Sequence, residues 1–196
     1  MFIKASEFKK LVKDSWERGT LVLGQRDGSL LIEGTSWAIE YQIDTIPNKI
    51  KAILVEMCGE IPSEEQAFRA TKGSTNQYSF EQTIVWDWFY ETMDTEKNLV
   101  SITRAAWIGK SGRLYRVAKS GKETMLVPHE YLNTVDNSAV EEWEDTMRGP
   151  YRFRNQGIYW QNSYGTAIFL KAGLAKDDVA GEAYIEAVKA AEVRDE

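Results

Sequence analysis

The chain has 196 residues, a net charge of −6, 43% hydrophobic residues and a heavy aromatic load of seven tryptophans, nine tyrosines and seven phenylalanines. That composition excludes a disordered chain, and at this length folding buries roughly 70% of the surface an unfolded chain exposes. Cys58 is the only cysteine, which rules out an internal disulfide and suits a reducing, cytoplasmic setting. Met1-Phe2-Ile3-Lys4 carries no signal-peptide pattern, and charged residues break every apolar run short of the roughly 18 residues a membrane span needs, so a soluble chain is expected.

After an extended start at Phe2 to Lys4, Ser6 is placed to cap a helix whose apolar residues Phe8, Leu11, Val12 and Trp16 share one face, with Gly19 ending it. Leu21 and Leu23 alternate toward Arg26-Asp27-Gly28, and Leu30 and Ile32 lead out, which predicts a hairpin because Asp-Gly favours the tight turn. Trp37, Ile39, Tyr41 and Ile43 predict a third strand. Pro47 opens a second helix, carried by Ile50, Ile53, Leu54 and Met57 and stopped by Gly59. Residues 63 to 76 read as strand plus loop, and Thr83 to Tyr90, dense in β-branched and aromatic residues, as a buried strand. Val100, Ile102 and Ala105 to Ile108 run into Gly109-Lys110-Ser111-Gly112, and Leu114, Tyr115 and Val117 run out, predicting a second hairpin.

From Thr124 the opening plan returns. Met125 to Val127 is extended, and a short helix after Pro128 uses Tyr131, Leu132 and Val135. An acidic insertion follows. Beyond Gly149-Pro150 come Tyr151 and Phe153, a turn at Asn155-Gln156-Gly157, a strand from Ile158 to Trp160 and another from Ala167 to Leu170. Gly28, Ala38 and Ile39 match Gly157, Ala167 and Ile168 at one common offset of 129. The expectation is therefore a single α+β domain over 1–196 with antiparallel sheets and short helices, built from two β-α-β-β units at 2–44 and 124–172 and closed by a helix over 177–196.

Residues 101 to 122 hold Arg104, Lys110, Arg113, Arg116, Lys119 and Lys122 and no acid, a local +6 in a chain of net −6. Bases two or three residues apart on a twisted ribbon, with Trp107 and Tyr115 to stack, fit a phosphate backbone; surface charge balancing the acidic remainder is the other reading. Other motifs carry less. Gly109-Lys110-Ser111 resembles the end of a phosphate-binding loop, but Arg104 stands where its first glycine belongs, and strand alternation follows where a helix is required. His129, the only histidine, has Glu130 beside it as a conceivable orienting group, yet adjacent side chains point apart. Glu141, Glu142, Glu144 and Asp145 lack calcium-loop spacing and read as a solvated acidic face, as does Asp177-Asp178.

Phe2-Ile3-Lys4-Ala5-Ser6-Glu7-Phe8-Lys9-Lys10-Leu11, the Asp27-Gly28 turn, Ser29-Leu30-Leu31-Ile32 and the strand from Trp37 to Ile43 resemble, in pattern, the opening of DNA sliding clamps of the proliferating-cell-nuclear-antigen and bacterial β type. Ile46 to Gly59 and Val127 to Leu170 resemble further strand-helix units. The resemblance implies an acidic ring whose basic helices face DNA, with Lys9, Lys10, Lys13 and Arg18 on the first helix as contacts. Tyr131 to Val135 departs from it in carrying no base, and the chain is short for the family. The function expected is a non-enzymatic, clamp-like binding protein of the replication machinery of a phage or other mobile element, without catalytic residues, cofactor or metal. Its expected partners are DNA and protein, a homo-oligomer among them. The alternative is an acidic interaction module or inhibitor of a host nucleoprotein, of anti-defence type.

Overall fold

Asp27 and Gly28 both take positive φ, 51° and 72°, the conformation a two-residue turn needs to match the twist of its flanking strands. They join β1 (Leu21–Arg26) to β2 (Ser29–Glu33), which β3 (Trp37–Gln42) extends as a meander. The computed structural model describes residues 2–79, 98–121, 123–136, 138, 148–153, 156–163, 165–173 and 179–190. Before the meander lies α1 (Ala5–Glu17), and after it α2 (Asn48–Cys58), which begins behind Pro47 and ends at Gly59. Ser6 does not cap α1: the helix starts at Ala5 with Lys4 at its N-cap and no side-chain cap, two residues earlier than the sequence suggests. Lys4 N–H instead reaches the Thr134 carbonyl at 2.9 Å, and the bridge between Ile3 and Val135 fixes the entry to the helix.

β4 (Gln66–Ala70) and β5 (Gln77–Tyr78) lie on one side of the meander. On its other side are three late strands, β9 (Arg148–Phe153), β10 (Gly157–Gln161) and β11 (Ala167–Lys171), so the sheet runs β5-β4-β1-β2-β3-β11-β10-β9 and is antiparallel throughout. Outward from the β3–β11 seam, the first three strands on each side run in descending order, β3-β2-β1 and β11-β10-β9. Ile39 stands directly opposite Ile168 there.

Alternation along each strand gives the sheet two different faces. Leu21, Leu23, Leu30, Ile32, Trp37, Ile39, Ile158, Trp160, Ile168 and Leu170 pack into the main core with Phe8, Leu11 and Val12 of α1 and Ile50, Ile53 and Leu54 of α2. The opposite face carries Leu31, Phe153, Tyr159 and Ala167 as a smaller cluster. Asn98 to Val100 pairs with β9 through Val100 N–H to Pro150 O and Arg152 N–H to Asn98 O. The chain then enters a second sheet of β6 (Ser101–Ile108), β7 (Leu114–Ser120) and β8 (Glu123–Pro128), followed by one turn of helix, α3 (His129–Leu132). Ala118 and Val127 of this sheet join the main core, while Tyr115, Val117 and Leu126 on its other face pack against Val188 of α4 (Val179–Ala190). The architecture is thus α+β, with antiparallel sheets and short helices. The predicted strand at Thr83 to Tyr90 and the acidic insertion at 141–145 lie outside the described residues, as do Asp177-Asp178.

Glu40 sits mid-strand on the smaller-cluster face, 2% exposed, with Leu31 and Ala167 on the adjoining strands. Burial pushes its carboxyl up to about 7, against a hydrogen bond with Ser29 that favours the charged form. The folded state therefore holds a proton that the unfolded chain releases near 4.5, so the protonated fold is fully favoured below that pH and the advantage is lost as pH rises toward 7. Urea titrations should show wild type weakening relative to Glu40→Gln between about pH 5 and about pH 8, by at most about 3 kcal/mol; identical pH dependence would mean Glu40 does not titrate there. Backbone crowding supplies a second expectation. A Cβ at Gly157 would collide with the Leu170 carbonyl oxygen and the Phe169 ring, so Gly157→Ala should cost about 1–3 kcal/mol in a denaturant titration. Gly73→Ala, with open space around it, should cost less, through its positive φ alone.

Candidate functional site

The basic stretch folds as the β6–β7 ribbon, and Gly109 to Gly112 is its turn. Gly109 N–H donates to Arg113 O and Gly112 N–H to Gly109 O, both at 2.9 Å, with strand on either side. The tip is a hairpin, not a phosphate-binding loop, because no helix follows whose N-terminus could face a phosphate. Lys110 and Ser111 are exposed at the turn, Arg104 is exposed on β6, and Arg116 and Lys119 are half-buried on β7. Lys122 lies outside the described residues.

Trp107 and Tyr115 stand opposite one another across the ribbon. Both face α4: Trp107 stacks on Tyr184 with centroids 5.1 Å apart, and Tyr115 is 6% exposed. Tyr115 is thus buried and Trp107 gives one ring face to Tyr184, where the sequence predicts rings that stack on bases. α4 takes that place because Tyr184, Ile185 and Val188 form its bulky apolar side, the rest of the helix being mostly alanine and charged residues.

The turn brings the ribbon against α1 and α3. Glu7, Lys10, Leu11, Asp14 and Arg18 line one wall of a cleft of about 500 Å³, and Ser111, Arg113, Glu130 and Tyr131 line the other. Arg113 is the fixed point of that wall. Its guanidinium lies 4.7 Å from the Tyr131 ring centroid and 5.9 Å from that of Tyr115, and its Nε donates to Glu130 Oε1. Burial opposes the Arg113 charge, but its hydrogen bonds to Tyr131 and Glu130 and their negative ends outweigh burial and hold the group above its ordinary pKa.

Lys10 pairs with Glu7 at 2.8 Å and Arg18 with Asp14 at 2.9 Å, so each base of the cleft has a carboxylate beside it. Lys9 turns from the cleft toward α2 and pairs with Glu56 at 2.7 Å, while Lys13 is exposed. The three lysines of α1 therefore do not form one row. Cross-helix pairs such as Lys9–Glu56 leave no trace in local sequence; only the i,i+3 and i,i+4 pairs within α1 could have been read from spacing.

Other candidates for chemistry fall into place around this frame. Glu130 engages Arg113 rather than His129, whose Nδ1 is buried without a hydrogen-bond partner among the described residues. The Cys58 thiol is pushed up to about 12 by burial, with the Glu60 charge adding to it, and so stays protonated at neutral pH. Among the described residues, no group of three His, Cys, Asp or Glu side chains could hold a metal ion, and no helix is long and apolar enough to cross a membrane. No family model matches the sequence, and neither a curated protein nor a solved structure matches the chain.

The cover that α4 lays over the ribbon gives a direct expectation. Val188→Asp places a charge in the small cluster with Tyr115, Val117 and Leu126 and should release the helix. Limited proteolysis would then cut within 179–190 at protease levels that leave wild type intact; equal resistance would show that α4 is held by other contacts.

Proposed function

We propose that this protein acts by binding, without catalytic residues, as a clamp-like scaffold in the DNA replication of a phage or other mobile element. The observation that carries this reading is the arrangement of the long sheet. Two three-strand runs, β1-β2-β3 and β9-β10-β11, each follow a helix in the chain and meet edge to edge at β3 and β11. A duplicated strand-helix unit joined into one continuous sheet is the plan expected from the resemblance of residues 2 to 58 to sliding clamps. DNA contact on this reading belongs to the hairpin turn and the cleft beside it, through Lys110, Arg113 and Arg116 with Lys10. Their carboxylate partners do not block it, since exposed ion pairs are generally worth less than about 1 kcal/mol and a polyphosphate gains from released counterions.

A second reading, an acidic protein-interaction module or inhibitor of a nucleoprotein, is favoured by one feature: the cleft's three bases are matched by three acids, which suits a protein surface better than a polyanion. Light scattering of the purified chain, with and without duplex DNA and at two salt concentrations, separates the two. The clamp-like reading expects a discrete dimer or trimer and DNA binding that falls steeply with salt and weakens in Lys110→Ala/Arg113→Ala/Arg116→Ala. A monomer indifferent to DNA would overturn it in favour of the protein-binding module.

A further inference from the structure

The bases that line the cleft are not equivalent. The side chains of Lys10 and Arg18 are 71% and 67% exposed, and each is paired with a carboxylate one turn away along α1. That of Arg113 is 32% exposed and is held by residues from two other places in the chain. Its Nε donates to Glu130, a hydrogen bond joins it to Tyr131, and its guanidinium lies over the rings of both Tyr131 and Tyr115. The fold brings these groups together: Arg113 closes the hairpin turn just before β7, Tyr115 follows two residues on, and α3 begins directly after β8, whose Pro128 stands opposite Tyr115. A guanidinium carries more N–H donors, in a rigid planar fork, than Glu130 and Tyr131 use, and Arg113 is part of the cleft wall.

The difference in order decides which base is worth most to a ligand. A flexible side chain loses rotamer freedom when it closes on an anion, which offsets part of the attraction, whereas a side chain already fixed by its own protein loses little. The planar fork also fits two oxygens of one phosphate, a match that an ammonium group lacks. We infer that Arg113 is the phosphate anchor of the cleft and that Glu130 and Tyr131 are positioning residues that hold its guanidinium for that contact. Glu130 then works against simple charge: it is an acid whose presence favours the binding of an anion. The inference rests on the reading of the cleft as a DNA contact and deepens it, by naming the base that carries the contact and the residues that orient it.

The test is fluorescence anisotropy of the full chain with a labelled DNA duplex at low salt, on two variants that remove the same charge from the same cleft. Glu130→Ala should weaken binding roughly tenfold, because Arg113 is released, while Glu7→Ala, which frees Lys10 of its partner, should strengthen it about twofold. Glu130→Gln keeps an acceptor for Nε and should bind within about twofold of wild type. Arg113→Lys keeps the charge without the fork and should also cost roughly tenfold, with little further loss when combined with Glu130→Ala, since both changes remove one contact. Circular-dichroism melts check that each variant is folded. The inference is overturned, and the DNA reading left standing, if wild type binds DNA and Glu130→Ala binds as well or better, or if Glu130→Gln loses as much as Glu130→Ala. A chain that binds no DNA overturns both. A labelled poly-Glu peptide bound in place of DNA would overturn the phosphate assignment and make the anchor's ligand a carboxylate of a protein partner.

Discussion

The pairing of β3 with β11 is the constraint on which the rest of this molecule depends. It joins two meanders from opposite ends of the sequence into one antiparallel sheet, and residues of both meanders share one core with α1 and α2. Ile39 and Ile168 meet there with no exposure to solvent, so each strand supplies the hydrophobic neighbour that the other's inner face requires. Glu40, one residue along, is held on the reverse face by the same pairing. A slip of one residue would turn Glu40 into the main core and Ile39 out of it, which is why this register admits no neighbour.

Charge in this protein is organised by position more than by amount. The acidic total conceals a ribbon whose charged residues are all bases, but most of α1's cations sit within reach of carboxylates from the same helix or from α2. Arg113 differs because two aromatic rings and Glu130 hold its guanidinium in place, so the order of its surroundings is settled before any partner arrives. The sheet that holds the ribbon is two-sided: α4 covers Tyr115, Val117 and Leu126, and Ala118 and Val127 on the other face join the main core.

Much of the local structure was legible in the sequence. The Asp27-Gly28 turn, the apolar stripe of α1, the Pro47 and Gly59 limits of α2 and the Gly109-to-Gly112 hairpin all rest on backbone preferences that act over a few residues, and the structure places each where those preferences do. Ser6 misled because the Lys4 amide is satisfied by Thr134, more than a hundred residues away, and this tertiary bond sets the helix start. The candidate site was legible as a basic hairpin but not as a surface. Alternation tells that Trp107 and Tyr115 share a side, yet only the packing of α4 decides which side is covered. The cleft, likewise, is assembled from α1, the hairpin turn and α3, and no local pattern announces that these three meet.

The β3–β11 seam has a further meaning during synthesis. β3 leaves the ribosome with its outer edge bare, and at ordinary elongation rates roughly ten seconds pass before β11 has been made. Throughout that interval the nascent chain offers an apolar strand edge, Trp37 to Tyr41, to any other strand in the vicinity. The long connection between the two meanders therefore makes this a protein whose solubility while being born depends on how that edge is shielded, by a chaperone or by its own intervening residues.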